Sequence, residues 1–540
     1  MNFGMGDLFG TDGIRGLAVE NVKRDSSAIT RCIDDREFSV GLLQLVGEAL
    51  GTYLRPSGEG RPRVVIGWDQ RPLNEDLVRS LTVGLHLSNC SVIWAGECAT
   101  PGLHATLLAE GADTGCMVTA SHNPVSDSGI KIFDKDGYKT SPEVESIIEV
   151  LIHQLASEER ELSEDEKCEL GIADHLVDGT AIHSAALTLR LPMLKLRYLD
   201  GLVSTLFPPE GLLLDSSKGS ATTWLADWLS ENLVKTEELS ADCLALNEGC
   251  GAGELSPTLA MTWDELSTKE HNHVLFDELN KRQSSYNTSE MIVAATLDGD
   301  GDRCLLVRVN SKATGIEVVD GDQMLDALVM AASETTPQIK GMIAASIESD
   351  LSLLNSLQRL DAELEAVETA VGDRWLAVAL RDNLTSSNEP FRIGGEDSGH
   401  LLLTTPHPIH DDEWRLVGDG IATLVASICA LTTCSEKQGF QFGWKSRQSI
   451  SPSVRSKWDG KNENAEAVIA LLEGDWQRQD IDGESNLLMM KGKINGDKVS
   501  VAVRNSGTQA KTTVSIRSTG THLPDLLEEV IQTLTPRLQP

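Results

Sequence analysis

One serine lies where the chain passes from an apolar run into a polar one. Residues 116–118 are apolar and predict a buried strand, and the chain continues as TASHNP, which places Ser121 and His122 in a turn. A strand that ends in such a turn exposes a hydroxyl at the edge of a sheet, where α/β folds carry their chemistry. Ser, Asn and Pro also form ordinary turns, so these residues alone leave both interpretations open.

Three aspartates separated by glycines form a second stretch, DGDGDR, which contains Asp298, Asp300, Asp302 and Arg303 between two apolar strands. Carboxylates at i, i+2 and i+4 converge only where the backbone wraps tightly, which glycine permits. Hard oxygen ligands without Cys or His select Mg²⁺ or Ca²⁺, and the glutamate that an EF-hand loop requires is missing. The stretch therefore predicts a metal site, with an exposed acidic hairpin turn as the alternative.

Further loops combine glycine with groups that bind anions or hydroxyls. In FGTDGIRG (9–16), Arg15 can reach a phosphate. GGEDSGH (394–400) presents a carboxylate, a hydroxyl and an imidazole on alternate positions, which suits a vicinal diol such as that of a sugar. RNSGT (504–508) combines a guanidinium, two hydroxyls and glycine-exposed amides, as an anion cradle does. Each loop also fits an ordinary polar turn.

The elements that must position these loops follow one another as repeated α/β units. Short apolar runs alternate with amphipathic segments, which predicts a mixed or parallel sheet with helical cover. The predicted strands lie at 63–68, 91–94, 116–118, 130–133 and 211–214, and the predicted helices include 74–87 and 222–233. Residues 142–180 predict a helix and a solvated acidic excursion, and residues 251–290 predict loops or an insertion.

Length and cysteine usage bound the class of protein. A chain of 540 residues exceeds the size of one growing core, so three or four domains are expected. No apolar run is long enough to span a bilayer, and no secretory signal segment opens the chain. The ten cysteines show neither C-x-x-C pairs nor zinc spacing with histidine, which predicts reduced thiols and a cytoplasmic location.

Charge is the strongest departure in composition, with a formal net charge of −36. This charge argues against nucleic acid and anionic membranes as partners. The simplest reading of the acidity is solubility or a salt-adapted surface. An anionic substrate would need a locally basic cleft that offsets the overall repulsion.

Five stretches in this order, FGTDGIRG, TASHNP, DGDGDR, GGEDSGH and RNSGT, resemble the α-D-phosphohexomutase superfamily, and most of all its phosphoglucosamine mutase branch. The resemblance implies an α/β fold of four domains around a central cleft, three related α/β domains and a smaller C-terminal α+β domain. The implied domains are 1–190 with the phosphoserine loop, 191–308 with the metal loop, 309–435 with the sugar loop and 436–540 with the phosphate loop.

The resemblance also implies roles for individual residues. Ser121 would exchange its phosphoryl group with the sugar through a bisphosphorylated intermediate, and one Mg²⁺ would be held by the phosphoserine and the three aspartates. A magnesium ion and Arg303 beside the serine would neutralise the transferring group. The candidate acid or base groups are His122, Lys131 and His400. The implied substrate-binding residues are Arg15, Asp373, Arg374, Glu396, Ser398, His400, Arg504, Ser506, Gly507 and Thr508.

The implied reaction interconverts glucosamine 6-phosphate and glucosamine 1-phosphate, with a hexose 1,6-bisphosphate as activator. A phosphomannomutase or phosphoglucomutase is the alternative within the class, and a homodimer is compatible with the resemblance. A sugar-phosphate-binding protein without turnover and a simple sugar phosphatase stay open as other classes. Intact Ser121 and all three aspartates argue against loss of turnover.

The chain departs from the family pattern in two of the loops. Gln509 and Ala510 stand where the phosphate loop usually has Glu and often Pro, and the next arginine is Arg517. Asp397 stands in the sugar loop where phosphoglucosamine mutases usually carry Gln. We hypothesise from this substitution that Asp397 discriminates a 2-amino group from a 2-hydroxyl.

Overall fold

The structure is a computed structural model that describes residues 8–10, 12–20, 23–55, 60–158, 160, 162–201, 204–386, 388–435, 437–506 and 511–539. The described residues form four β-sheets, which follow one another along the chain. Helices from along the chain pack against these sheets. The mixed α/β architecture confirms the predicted fold class.

The first sheet carries the serine loop. Its strands are β1 (Ile14–Val19), β2 (Glu37–Ser39), β3 (Arg63–Trp68), β4 (Ser91–Glu97), β5 (Thr114–Val118), β6 (Asp127–Asp134) and β7 (His175–Leu176). Its helices are α1 (Ser26–Asp35), α2 (Val40–Tyr53), α3 (Asn74–Leu87), α4 (Thr100–Glu110), α5 (Pro142–Ala156), α6 (Glu164–Leu170) and α7 (Gly179–Tyr198). The strand order is β2-β1-β6-β5-β3-β4-β7. Because β3 lies parallel to β5, their carboxyl ends meet at one edge of the sheet.

The second sheet carries the three aspartates between two adjacent antiparallel strands. Its strands are β8 (Leu212–Asp215), β9 (Thr236–Glu238), β10 (Ala260–Thr262), β11 (Ile292–Leu297), β12 (Cys304–Val309) and β13 (Gly315–Val319), and its helices are α8 (Leu225–Asn232), α9 (Trp263–Thr268) and α10 (Val274–Arg282). The strand order is β10-β13-β12-β11-β8-β9. The DGDGDR loop connects β11 to β12.

The third sheet carries the predicted sugar loop. Its strands are β14 (Ile339–Ser346), β15 (Ala362–Thr369), β16 (Phe391–Gly395), β17 (Leu401–Pro406) and β18 (Trp414–Gly418), and its helices are α11 (Gly321–Thr335), α12 (Leu353–Ser356), α13 (Asp373–Leu380) and α14 (Gly420–Thr433). The strand order is β15-β14-β16-β17-β18. The loop lies between the antiparallel strands β16 and β17.

The fourth sheet is wholly antiparallel. Its strands are β19 (Trp444–Ile450), β20 (Gln477–Arg478), β21 (Leu488–Ile494), β22 (Asp497–Asn505) and β23 (Thr512–Ser518), and its helices are α15 (Glu463–Ile469) and α16 (Pro524–Leu538). The strand order is β19-β23-β22-β21-β20. The RNSGT stretch begins at the end of β22 and leads towards β23.

The cores show which sheets are built together. One hydrophobic cluster runs from Leu187 of α7 to Phe440 and includes side chains of the second and third sheets and of α11 and α14. The fourth sheet instead closes its own cluster between Ile450 and Leu538. The first sheet has a separate cluster on its α2 and α3 side.

Two segments differ from the prediction. Residues 251–290, predicted as loops or an insertion, contain β10, α9 and α10, and Leu266, Leu275 and Leu279 are buried there. The acidic segment after α5 contains α6, and α7 begins at Gly179. The domain boundaries stay a prediction, although residue 190 lies inside α7 and β13 joins the second sheet beyond residue 308.

The cysteines are unpaired. All ten are free thiols, of which Cys168 is exposed, Cys243 is half-buried and the other eight are buried. Within the described residues, none of the helices combines the length and the apolar character that crossing a membrane requires.

Candidate active site

Ser121 lies in a tight turn just after β5. Its backbone is in the left-handed region, with a φ of 54°, which a non-glycine residue adopts only where the surroundings hold it. The Ser121 amide donates a 2.8 Å hydrogen bond to Thr119 Oγ1, and the residue is only 1% exposed. The serine is therefore a fixed group inside the protein.

Arg71 holds the backbone of this turn through hydrogen bonds. It follows β3, whose carboxyl end lies beside that of β5, so its guanidinium reaches the serine turn. It donates to the backbone carbonyls of Ser121 at 2.8 Å, Asn123 at 3.0 Å and Asp127 at 2.7 Å, and also to that of Pro124. Sequence reasoning assigned Arg71 only to a turn, although its position after a strand at the functional edge was an available signal.

Asn247 holds the same turn from the second sheet. Its side-chain amide donates to the carbonyls of Ser121 at 2.7 Å and Asn123 at 3.1 Å. Its own oxygen accepts a hydrogen bond from Ser217 Oγ at 2.5 Å, which fixes the amide orientation. Asn247 lies in a region without a recognisable motif, so nothing in the sequence identified it.

The three aspartates converge beside the serine. Asp298 Oδ2 accepts a 2.8 Å hydrogen bond from Ser121 Oγ. One carboxylate oxygen from each of Asp298, Asp300 and Asp302 lies within 4.8 Å of the others, and all three residues are buried. Gly301 has a φ of 69°, which is the conformation that lets the loop wrap this tightly.

The donor set fits a hard divalent cation. All of its oxygens are carboxylate oxygens, and Asp300 Oδ1 is buried without a hydrogen-bond partner among the described residues. Burial and the charges of Asp302 and Asp300 raise the pKa of Asp298 well above its ordinary value. Three carboxylates this close require positive charge beside them.

Lys131 of β6 supplies one such charge. Its ammonium donates to Asp300 Oδ2 at 2.6 Å and to Asp302 Oδ2 at 2.7 Å, and the side chain is 1% exposed. Burial alone would lower the pKa of Lys131, but Asp12, Asp300 and Asp302 raise it well above its ordinary value. Lys131 is therefore a cation in this state.

Two cations and an imidazole flank the serine. Arg303 Nε lies 3.9 Å from Asp298 Oδ2. Arg15 of β1 donates to the Ala120 carbonyl at 3.3 Å. The charge of Arg303, then burial and the charge of Arg15, lower the pKa of His122 to about 3, so that its imidazole is neutral near pH 7.

Asp12 connects the first loop to the other site loops. Its carboxylate forms ion pairs with Arg15 and with Lys139, and Lys139 Nζ lies 2.8 Å from Asp373 Oδ1. The predicted phosphate-binding group Arg15 is thus paired with a carboxylate of its own loop.

The sugar loop meets the metal loop through His400. His400 Nδ1 lies 3.4 Å from Asp302 Oδ1, and His400 Nε2 lies 3.5 Å from Asp373 Oδ2. Burial alone would lower the pKa of His400, but Asp302 and Asp373 raise it to about 10. The carboxylate of Glu396 accepts a 2.7 Å hydrogen bond from the Gly372 amide. The Ser398 hydroxyl is buried and has no hydrogen-bond partner within the described part of the chain.

Arg374 belongs to a helix and forms an ion pair with the first part of the chain. Asp373 and Arg374 form the first turn of α13, and the Arg374 guanidinium forms a two-pronged ion pair with Glu145 of α5, with a distance of 3.1 Å between Nη1 and Oε2. Both side chains are buried. This contact ties the third sheet to the first, and Glu145 was not identified from the sequence.

Arg504 lies on the fourth sheet, and its Nη2 atom lies 2.8 Å from Glu348 Oε1, just after β14. We call the third sheet with its helices the third unit, and the fourth sheet with its helices the fourth unit. Ser506 donates its backbone amide to the Lys511 carbonyl at 2.9 Å. Gly507 and Thr508, the other predicted members of the cradle, lie outside the described residues.

Asp397 is engaged differently from our hypothesis. Its Oδ2 atom lies 2.9 Å from Lys445 Nζ and 2.7 Å from Arg447 Nη2, and the residue is 2% exposed. The carboxylate therefore binds two cations of β19 and links the third sheet to the fourth. A role in reading the 2-amino group of a sugar finds no support in this geometry.

Comparisons with known proteins identify the family and the fold of the chain. The family model described as "Phosphoglucomutase/phosphomannomutase, alpha/beta/alpha domain I" matches residues 6–159, and the corresponding domain III model matches residues 320–441. A phosphoglucomutase/phosphomannomutase family protein from Burkholderia thailandensis has the same fold, with a TM-score of 0.62 at 15% identity over 98% of this chain and 97% of that chain. The chain belongs to the phosphoglucomutase/phosphomannomutase family of phosphohexomutases.

Among relatives, the phosphoglucosamine mutase of Geobacillus thermodenitrificans is 30% identical to the chain over 422 residues, which cover 78% of this chain and 77% of that protein. The N-acetylphosphoglucosamine mutase of Aspergillus fumigatus, solved in complex with GlcNAc-6P and magnesium, shares the fold with a TM-score of 0.52 at 14% identity, over 92% of this chain and 99% of that chain.

Proposed function

We propose that the chain is a Mg²⁺-dependent phosphohexomutase that interconverts glucosamine 6-phosphate and glucosamine 1-phosphate. The observation that carries the proposal is the hydrogen bond between Ser121 Oγ and a buried cluster of three aspartates. A serine hydroxyl is a weak nucleophile unless its oxygen is held beside positive charge or a base. Here Asp298 binds Ser121 Oγ, and Arg303 and Lys131 place positive charge beside the aspartate cluster.

Asp298, Asp300 and Asp302 are the residues that would hold the Mg²⁺ ion. The bound ion supplies charge neutralisation for the transferring phosphoryl group. Arg303 and Lys131 add positive charge at the same place. The left-handed turn and its bonds from Arg71 and Asn247 keep Ser121 Oγ in one position throughout the reaction.

In the first half-reaction, a sugar hydroxyl forms a bond to the phosphorus on Ser121, and the bond between that phosphorus and Ser121 Oγ breaks. The bisphosphorylated sugar then turns over, and Ser121 Oγ takes back the other phosphoryl group. In the first step the sugar hydroxyl loses a proton and Ser121 Oγ gains one. In the second step Ser121 Oγ loses that proton, and the sugar oxygen that gives up its phosphoryl group gains one. Of the three candidate groups, His122 is neutral near pH 7, whereas His400 and Lys131 are protonated.

The support for glucosamine phosphate over other hexose phosphates comes from the relatives, and not from a contact within the site. The Geobacillus relative bears the name phosphoglucosamine mutase, and the Aspergillus structure holds an N-acetylated amino-sugar phosphate and magnesium. Glu396, Ser398 and the phosphate loop would bind the sugar hydroxyls and the non-reacting phosphate. The hexose 1,6-bisphosphate activator, the cytoplasmic location, the homodimer and the lack of nucleic-acid and membrane partners stay predictions.

The test is turnover of glucosamine 6-phosphate, glucose 1-phosphate and mannose 1-phosphate with Mg²⁺ and a trace of hexose bisphosphate. We expect the highest kcat/KM on the glucosamine phosphate, complete dependence on Mg²⁺, and loss of activity in Ser121→Ala. Incorporation of labelled phosphate from the bisphosphate into the wild type, but not into Ser121→Ala, locates the transfer.

Each other outcome has a separate meaning. Highest activity on glucose or mannose phosphate would move the enzyme to the neighbouring branch of the family. Free phosphate released as fast as isomer forms would show a phosphatase. No turnover by a folded, phosphorylated protein would overturn the proposal in favour of a binding protein.

A further inference from the structure

The fourth sheet presents a row of cations on the face that meets the third unit. Strand register places them together, because β23 pairs with β19 on one side and with β22 on the other. Opposite residues share a face of an antiparallel sheet, as do residues two apart on one strand. The polar members of this face include Lys445, Arg447, Ser449, Lys491, Lys493, Lys498, Ser500, Arg504, Thr513, Ser515 and Arg517.

Several of these cations have a clear structural partner in the third unit. Arg517 is buried, and it donates to Glu368 at 3.0 Å and to the Ser349 carbonyl at 2.9 Å. Lys491 also binds Glu368, at 2.6 Å. These contacts dock one unit on the other. Arg517, the next arginine after the phosphate loop, therefore binds residues of the third unit in this interface.

Arg447 and Arg504 likewise converge on one carboxylate, but here both cations are guanidinium groups, and Arg447 Nη2 also lies 2.7 Å from Asp397 Oδ2. Glu348 Oε1 lies 2.8 Å from Arg504 Nη2, and Glu348 Oε2 is contacted by Arg447 Nη1. Two guanidinium groups that hold the two oxygens of one anion form the arrangement by which proteins also bind phosphate.

The surface between the two arginines is lined by hydroxyl groups. Ser515 lies directly opposite Arg447, and Thr513 lies directly opposite Arg504 in the sheet register. Ser515 is 6% exposed, and its hydroxyl is buried without a hydrogen-bond partner among the described residues. A buried hydroxyl without a partner, on the face of the sheet that carries both arginines, points to a ligand oxygen.

We propose that Arg447 is the second arginine of the phosphate-binding site, and that Glu348 is a resident anion which the substrate's non-reacting phosphate displaces. Arg504 alone offers one guanidinium to a dianion, and Arg447 on the edge strand β19, which β23 separates from β22, supplies the second. The proposal rests on the proposed function for the identity of the substrate. It adds to that function a phosphate-binding residue outside the RNSGT loop and a contact within the chain that competes with the substrate.

The charge state of Glu348 agrees with this role. Burial alone would raise its pKa, but Arg504 and Arg447 lower it to about 2, so that Glu348 is an anion at neutral pH. With Glu348 in place, the two arginines are neutralised and the fourth unit is docked. An incoming phosphate carries more negative charge than one carboxylate and can replace it on both guanidinium groups.

The test compares four single variants of the full chain: Arg447→Ala, Arg504→Ala, Glu348→Gln and Lys491→Ala. Calorimetry gives the Kd for inorganic phosphate, and steady-state kinetics give KM and kcat for glucosamine 6-phosphate. We expect both arginine variants to raise Kd and KM about ten- to hundredfold, as for loss of a charge-assisted hydrogen bond. Glu348→Gln should lower Kd and KM about tenfold, because the competing anion is gone.

Lys491→Ala is the matched control. Lys491 and Glu368 have the same side-chain exposures as Arg447 and Glu348, 33% and 15%, and they form an ion pair in the same interface. Its Kd and KM should equal those of the wild type. If Arg447→Ala behaves like Lys491→Ala, Arg447 is only an interface residue. If Glu348→Gln binds phosphate no more tightly than the wild type, Glu348 is not a resident anion.

The calorimetric measurement separates this proposal from the enzyme activity. A protein that turns over no sugar phosphate would overturn the proposed function, yet the order of the phosphate Kd values would still decide this site. Arg447→Lys adds a check for misfolding, since it keeps the charge and the packing but loses the planar two-pronged donor. We expect its Kd to lie between those of the wild type and Arg447→Ala.

Discussion

At the scale of single residues, the serine turn shows how a strained conformation is kept. A left-handed backbone costs an ordinary residue about 1–2 kcal/mol, and Ser121 adopts it with a φ of 54°. Arg71 and Asn247 both bind the Ser121 carbonyl, so the strain is offset by bonds from two different sheets. The position of the reactive oxygen therefore depends on residues that do not touch the substrate.

Asn247→Ala should lower kcat about tenfold with little change in KM, because a displacement of the reacting atom well below 1 Å already costs rate. The loss of two hydrogen bonds to buried carbonyls should also lower the free energy of unfolding by about 1–3 kcal/mol. Kinetics and chemical denaturation measure both. Asn232→Ala removes a hydrogen bond from the side-chain amide to the Trp228 carbonyl within α8; it is the control and should leave kcat unchanged. An unchanged kcat in Asn247→Ala would show that Arg71 holds the turn alone.

At the scale of elements, agreement with the sequence follows the strength of the local pattern. The predicted strand at 63–68 and helix at 74–87 have the bounds observed for β3 and α3, because both carry a regular apolar pattern. By contrast, α9 has six residues and α10 has nine. Helices this short owe their stability to packing with distant residues, which no local pattern records.

Leu279→Ala tests whether residues 251–290 form part of a real core. Leu279 of α10 is fully buried, so its truncation should lower the free energy of unfolding by about 2–5 kcal/mol. Leu244→Ala is the control, since Leu244 is 90% exposed and its truncation should change stability by less than about 0.5 kcal/mol. Calorimetry or denaturant titration measures both. Equal stability of the two variants would mean that the segment is the loop that the sequence predicted.

At the scale of the whole molecule, a net charge of −36 means that an anionic substrate needs a locally basic cleft. The cations are present, but Lys131, Lys139, Arg374, Arg447 and Arg504 each have a carboxylate partner. Their partners in these pairs, Asp300, Asp373, Glu145 and Glu348, all lie far along the chain from the cations that they bind. The motifs identified the reacting groups, because these share short loops, whereas the pairing of charges across sheets depends on tertiary contacts.

Acid should weaken the docking of the fourth unit. The pKa of Glu348 falls from its ordinary value of 4.5 to about 2 in the folded protein. The stability that it contributes is therefore complete above pH 4.5 and is lost as the pH falls towards 2. A shift of this size corresponds to about 3 kcal/mol. Glu368, whose pKa Arg517 and Lys491 lower against the effect of burial, acts with the same sign.

Thermal unfolding of the wild type and Glu348→Gln between pH 3 and pH 7 measures this contribution. The wild type should be more stable at pH 7, and the difference should shrink steadily below pH 4.5. Glu466→Gln, which changes an exposed glutamate of α15, should follow the wild type throughout. A difference that stays constant down to pH 3 would contradict the linkage.

The distribution of cores has a consequence for how such a protein changes over generations. Side chains of the second and third sheets share one cluster, so neither can be replaced without refitting the other. The fourth sheet encloses its own cluster, and it meets its neighbour through paired charges and through a small apolar cluster of Ile347, Leu487, Met489 and Ala502. Recombination between relatives can therefore exchange the fourth unit wherever the residues that face the third unit match. Selectivity for the non-reacting phosphate can then be inherited separately from the phosphoryl-transfer chemistry.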